Sequence, residues 1–102
     1  MFEKDLSLSL LYDLYAPLMN EKKREAFEGY FLSDLSLSEI AEETGTSRQA
    51  VRDLICRTKK ELCAWEEKLG LLEKRKRLQA LCDALDEAGA SEEIVRSLRE
   101  IL

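Results

Sequence analysis

The sequence has no histidine among its 102 residues. Without imidazole there is no Cys/His metal site, and no triad or acid–base scheme that depends on that ring. No cofactor is expected. Proline occurs once, as Pro17, and glycine four times, so long Leu/Glu/Lys/Arg-rich stretches run without a breaker. Those side chains lose little rotamer freedom in a helix, which points to an all-α fold. No window alternates apolar and polar residues between turn signals as a strand would. No apolar run approaches the roughly 20 residues that span a bilayer. The N-terminal MFEKDLSLSLLYDLY has acids where a signal peptide carries bases, and it lacks a small-residue cleavage site. A cytoplasmic protein without membrane insertion is the expectation. The cysteines, Cys56, Cys63 and Cys82, are odd in number and read as free thiols of a reducing compartment.

What is present is a foldable chain. Hydrophobic residues make up 45%, enough to argue against disorder. The net charge of −5 is the opposite of what a strong non-specific nucleic-acid binder usually carries. Its distribution is uneven. Residues 1–45 hold ten acids and four bases. Residues 46–60 hold Arg48, Arg52, Arg57, Lys59 and Lys60 against Asp53 alone, a local charge of +4. Residues 61–102 return to acidic, with ten acids and seven bases.

In chain order, Leu10, Leu11, Leu14 and Leu18 step by three and four, predicting a helix from about Leu6 to Ala16 that Pro17 ends or kinks. Asn20 and Glu21 suit the start of a second helix running to about Leu32, with Ala26, Phe27, Tyr30 and Phe31 inward as core rather than as base-stacking platforms. Ser36-Leu37-Ser38-Glu39 fits a capping box and opens a short third helix ending near Thr44. Gly45 follows, where a left-handed backbone is commonly needed. Thr46 or Ser47 caps a long fourth helix. Val51, Leu54, Ile55, Thr58, Leu62 and Trp65 form its inward side, and Arg48, Gln49, Arg52, Asp53, Cys56, Lys59 and Lys60 its outer side. Past Trp65 the stripe runs through Leu69 and Leu72. It then shifts at Gly70 onto Leu71, Leu78, Leu81, Cys82, Leu85 and Ala88, predicting a kink and a further helix from about Leu71 to Ala88. Gly89 stops it. A last helix opens at Ser91-Glu92-Glu93, with Ile94, Val95, Leu98, Ile101 and Leu102 as its apolar side. The expected organisation is a helical bundle over 1–69 and a C-terminal helical extension over 70–102, for packing or dimerisation, within one compact unit.

Residues of about 36–60 have the layout of a helix-turn-helix. The bracing helix needs a small residue where the helices cross, and Ala41 supplies it. The turn needs Gly45, and the reading helix must be pinned from behind, as Val51 and Leu54 can do. If the motif reads nucleic acid, Ser47, Arg48, Gln49 and Arg52 lie at the front, able to meet base edges or phosphates. Arg57, Lys59 and Lys60 lie further along and suit phosphates. Asp53 is unfavourable beside phosphates, although it could accept from cytosine.

Leu11-Tyr12-Asp13-Leu14-Tyr15, Glu28-Gly29-Tyr30-Phe31-Leu32, Ser36 to Glu42, Ser47-Arg48-Gln49-Ala50-Val51 and Arg57-Thr58 resemble the YlxM-type helix-turn-helix proteins of bacteria, over about residues 10–80. The same region is similar to region 4 of sigma-70-type factors, which binds promoter elements. The resemblance implies an all-helical protein. Members are typically encoded beside the signal recognition particle GTPases, which implies a part in that secretion pathway or its regulation. Partners by this reading are DNA, or the particle's RNA or GTPase. The family usually has tyrosine after the valine of the reading helix, whereas Arg52 stands here, as in sigma factors, and adds positive charge.

Outside the motif, Lys74-Arg75-Lys76-Arg77 reads as a solvated basic face, with RNA phosphate as the functional alternative. Glu42-Glu43, Glu66-Glu67 and Glu92-Glu93 lie on helix surfaces, and nothing sets two carboxylates across a cleft, so no enzyme is expected. Cys56 is a small filler before it is a reactive thiol. The helices from Leu62 to Leu102 carry more apolar surface than one thin bundle buries, so a homodimer is expected.

Overall fold

The computed structural model describes residues 6–101, which are built from α-helices and one 3-10 turn. The helices are α1 (Leu6–Tyr15), α2 (Glu21–Phe31), α3 (Leu37–Thr44), α4 (Arg48–Leu69), α5 (Leu71–Glu87) and α6 (Glu92–Ile101), with the 3-10 turn at Ala16–Leu18. The all-α fold with a helix-turn-helix is as expected. None of these helices is long and apolar enough to cross a membrane. Met1 to Asp5, the start of the N-terminal stretch that lacks signal-peptide features, and the expected core residue Leu102 lie outside the described residues.

The helix boundaries follow local chemistry. Pro17 sits inside the 3-10 turn that ends α1. Asn20 caps α2, its side chain accepting the Lys23 N–H at 2.9 Å. Ser36 and Glu39 make the reciprocal capping box, with Glu39 N–H donating to Ser36 Oγ at 3.0 Å and Ser36 N–H to Glu39 Oε1 at 3.3 Å. Gly45 takes the left-handed conformation, φ 67°, and the Thr46 N–H returns to the Ala41 carbonyl.

The chain divides into two compact units, with the boundary in sequence between Leu69 and Gly70. In the first, α4 is the spine against which α1, α2 and α3 all pack. Ala26 and Tyr30 of α2, Leu37, Ile40 and Ala41 of α3, and Val51 and Ile55 of α4 form one buried cluster, with Phe31, Leu35 and Leu54 packed against it. Gly29 lets α2 lie close to α3, because a Cβ there would meet Ile40 Cγ1 at 3.3 Å. Tyr12 stacks on Phe27 and Phe27 on Phe31, at centroid separations of 4.7 and 4.4 Å, so these rings belong to the core.

The buried side of α1 differs from expectation. Leu8, Leu11, Tyr12 and Tyr15 are buried, whereas Leu10 and Leu14 are half-buried and Leu18 is exposed. The stripe turns toward the tyrosines because each phenol has a polar partner waiting. Tyr12 Oη donates to Glu28 and Tyr15 Oη donates to Glu66 at 2.7 Å. Leu18 falls out of phase because the 3-10 turn breaks the helical step.

The second unit is the α5–α6 hairpin. Cys82 and Val95 are buried in it, and Arg99 donates to Asp83 at 2.9 Å. Gly70, φ 61°, separates α4 from α5, and Gly89, φ 77°, stands in the turn before α6. The apolar sides expected for the last two helices are only partly buried. Leu71, Leu81, Leu85, Ile94 and Ile101 are exposed, and Leu69 at the end of α4 is exposed as well.

Candidate nucleic-acid interface

The front of α4 is set by its cap. Of the two expected cap residues, Ser47 acts. Its Oγ accepts the Ala50 N–H at 3.0 Å, while Thr46 Oγ1 lies 3.0 Å from Thr44 Oγ1. The first turn of α4 therefore projects from a rigid turn, with Arg48 and Gln49 exposed. Behind it, Val51 and Ile55 are buried against α2 and α3, and Leu54 is half-buried. Further along, Thr58 is buried with its hydroxyl returned to the Leu54 carbonyl at 2.8 Å, and Leu62 is fully buried. Pinning along this length fixes which way the outer side faces.

On a helix advancing roughly 100° per residue, Arg48, Arg52 and Lys59 fall within about 40° of one another and make one basic row. Arg48 and Arg52 are exposed, while the stem of Lys59 is half-buried. Gln49, Asp53 and Lys60 form a neighbouring exposed row, in which Gln49 Nε2 donates to Asp53 Oδ1 at 2.9 Å. Arg57 stands apart, about 140° round from Arg52 by the same step. It borders a groove between α2, α3 and α4, where Lys22, Ala26, Ile40 and Leu54 also contribute. The groove holds about 210 Å³, below the roughly 300–1,000 Å³ of small-molecule pockets. Lys22 is a cation near the motif that sequence reading passed over. Its approach to Arg57 is a tertiary effect with no local signal. Lys23 is engaged elsewhere, in an ion pair with Glu61 that ties α2 to α4.

Two titratable groups depart from their ordinary values. Burial, then the hydrogen bond to Glu28, pushes the Tyr12 phenol above its ordinary range, and Arg24 works in the opposite direction. In the hairpin, the hydrogen bond to Asp83 raises Arg99 further above its already high value.

Comparison with known proteins decides the family. The family described as "Putative helix-turn-helix protein, YlxM / p13 like" matches residues 2–101. The chain belongs to it. The match reaches beyond the 10–80 span that the quoted motifs covered, so the C-terminal hairpin is part of the family pattern too. Relatives agree along most of the length. A UPF0122 protein of Halalkalibacterium halodurans is 46% identical over 99% of this chain and 96% of its own. One of Shouchella clausii is 42% identical over 100% of this chain and 94% of its own. One of Clostridium kluyveri is 47% identical over 76% of this chain and 69% of its own.

Proposed function

We propose that this protein is a nucleic-acid-binding regulator that presents the N-terminal half of α4 to a duplex. The observation that carries this reading is a coincidence of place. A segment carrying a local charge of +4 in an acidic chain, residues 46–60, supplies the exposed side of the second helix of a helix-turn-helix. In that role Ser47, Arg48, Gln49 and Arg52 meet the groove and its nearest phosphates, and Lys59 and Lys60 meet phosphates further along. Arg57, on the other flank, is the least engaged. Exposed N–H groups at the start of α4 add favourable potential for a phosphate. The acidic remainder of the chain weakens non-specific attraction, so binding is selective rather than general.

A second reading is an accessory protein of the signal recognition particle that binds the particle's RNA or GTPase and has no DNA binding of its own. It is supported by the acidic net charge and by the resemblance to a family encoded beside those GTPases. Anisotropy titrations with duplex DNA, with a structured RNA hairpin and with the purified GTPase separate the readings. Absence of duplex binding even at about 50 mM salt removes the first reading, since electrostatic attachment is strongest there. Cytoplasmic location belongs to both.

A further inference from the structure

The groove between α2, α3 and α4 holds two cations that stand apart from the basic row. Lys22 lies on its α2 wall and Arg57 on its α4 wall, and both are exposed. Neither is in an ion pair among the described residues. Arg57 has a carboxylate one turn away in each direction, Asp53 before it and Glu61 after it, at the spacing that favours a pair on a helix. Asp53 instead accepts from Gln49, and Glu61 pairs with Lys23. The helix therefore leaves Arg57 open over the groove, facing the same space as Lys22.

Between the cations the groove is apolar. Ala26, Ile40 and Val51 close it as buried core residues, while Leu54 packs against the core yet keeps part of its surface open, and Ala50 is exposed. A space this size suits apolar side chains of a partner rather than a whole small molecule. A nucleic-acid backbone could reach the cations but has nothing apolar to bury beside them, and the residues lining the groove include no aromatic ring on which a base could stack. Carboxylates set beside an apolar anchor satisfy both features at once. That is the make-up of an acidic amphipathic helix laid into a groove.

We propose that this groove docks an acidic amphipathic helix of another protein. An apolar side chain of that helix seats on Leu54 and Ala50, and carboxylates within one turn of it reach Lys22 and Arg57. The surroundings limit where those carboxylates go. Asp53 lies at the edge of the groove, and Glu25, Glu28 and Glu43 line an adjoining cleft across Ile40 and Thr44. The partner's negative charge is thus confined to the Lys22–Arg57 part of the surface. Arg57 lies about 140° or more round α4 from Arg48 and Arg52. The docking does not need nucleic acid, so it stands or fails apart from the function proposed above.

Selection on the full chain from a phage-displayed library of random peptides, about three helical turns long, tests it. Enriched peptides are expected to carry net negative charge around a Leu, Ile, Met or Phe. A synthetic copy of the most enriched peptide should shift the backbone amide signals of Ile40, Ala50 and Leu54 by nuclear magnetic resonance. Lys22→Gln with Arg57→Gln changes only exposed positions, so helicity by circular dichroism stays at wild type while the dissociation constant of that peptide rises at least about tenfold. Ala50→Gln fills the groove without changing its charge and should weaken the peptide as well. Arg48→Ala with Arg52→Ala should leave the peptide's affinity unchanged, which separates the groove from the basic row. No enrichment, enrichment of neutral or basic peptides, or an affinity that depends on Arg48 and Arg52 but not on Lys22 and Arg57 overturns the proposal. A duplex whose affinity falls as far with Lys22→Gln and Arg57→Gln as with Arg48→Ala and Arg52→Ala assigns the groove to nucleic acid and overturns it too.

Discussion

Gln49 Nε2 donates a 2.9 Å hydrogen bond to Asp53 Oδ1, one turn further along the outer side of α4. The bond holds the Gln49 amide along the helix and places a carboxylate beside the basic row. On the proposed reading, a phosphate reaching the row of Gln49 and Lys60 meets that carboxylate. One unit charge at about 4 Å in water is worth about 1 kcal/mol, or about fivefold in affinity. Asp53→Ala is therefore expected to tighten duplex binding about fivefold at low salt, measured by anisotropy. Asp53→Asn separates charge from geometry, because its side-chain carbonyl can still accept from Gln49. Equal gains from both variants assign the effect to charge, and a loss of affinity in both would contradict the placement of nucleic acid on this side.

On the proposed reading, the basic row and the neighbouring Lys60 set the salt dependence. Arg48, Arg52, Lys59 and Lys60 together predict a slope of log affinity against log salt of roughly −4. Arg48→Ala with Arg52→Ala should reduce the slope to roughly −2 and abolish detectable binding at physiological salt. Arg57→Ala should reduce the slope less than Arg52→Ala, since Arg57 lies about 140° round from Arg52 and borders the groove with Lys22. A loss on Arg57→Ala as large as that on Arg52→Ala would move the interface to the groove.

The helix-turn-helix was legible in the sequence because each of its requirements is local. The Ser36–Glu39 box, the left-handed Gly45 and the spacing from Ala41 to Val51 all sit within a few residues of one another, and the structure repeats them. The buried side of α1 was not legible. Counting leucines favoured Leu10, Leu14 and Leu18, but the decision rested with Glu28 and Glu66, which lie 16 and 51 residues from the tyrosines they receive. A tyrosine can be buried when its hydroxyl has a partner, and a partner that far along the chain leaves no mark on periodicity. The same limit hid Lys22 beside Arg57. Apolar residues in α5 and α6 were visible, but which of them would be covered depended on packing.

The Tyr12–Glu28 contact makes a pH-dependent prediction. The folded state holds the Tyr12 phenol above its ordinary value, chiefly through burial and then through the Glu28 carboxylate. The unfolded chain titrates near about 10. The contribution to stability is thus complete below about pH 10 and is lost as pH rises through the raised folded value. Denaturant midpoints should fall over that alkaline range, and less so in Tyr12→Phe. At neutral pH the same variant loses the hydrogen bond, at a cost of about 1 kcal/mol. An alkaline profile identical in the two proteins would assign the loss to another group.

Gly45 offers the cleanest test of the turn, because conformation and crowding separate there. Its φ is 67°, and an added Cβ would meet nothing within 4 Å. Any cost of Gly45→Ala is then the cost of holding an L-residue in the left-handed region, roughly 1–2 kcal/mol. For a domain of this size each kcal/mol lowers Tm by about 4–8 °C. Gly45→Asn should recover part of the loss, since asparagine tolerates this conformation better than alanine does. Ser36→Ala, which removes the cap at the other end of α3, should cost about 1 kcal/mol through a lost hydrogen bond. Asparagine does not rescue by relieving contact, since alanine makes none. A Tm for Gly45→Asn above that for Gly45→Ala therefore ties the turn to backbone conformation, and an order reversed between the two would refute it.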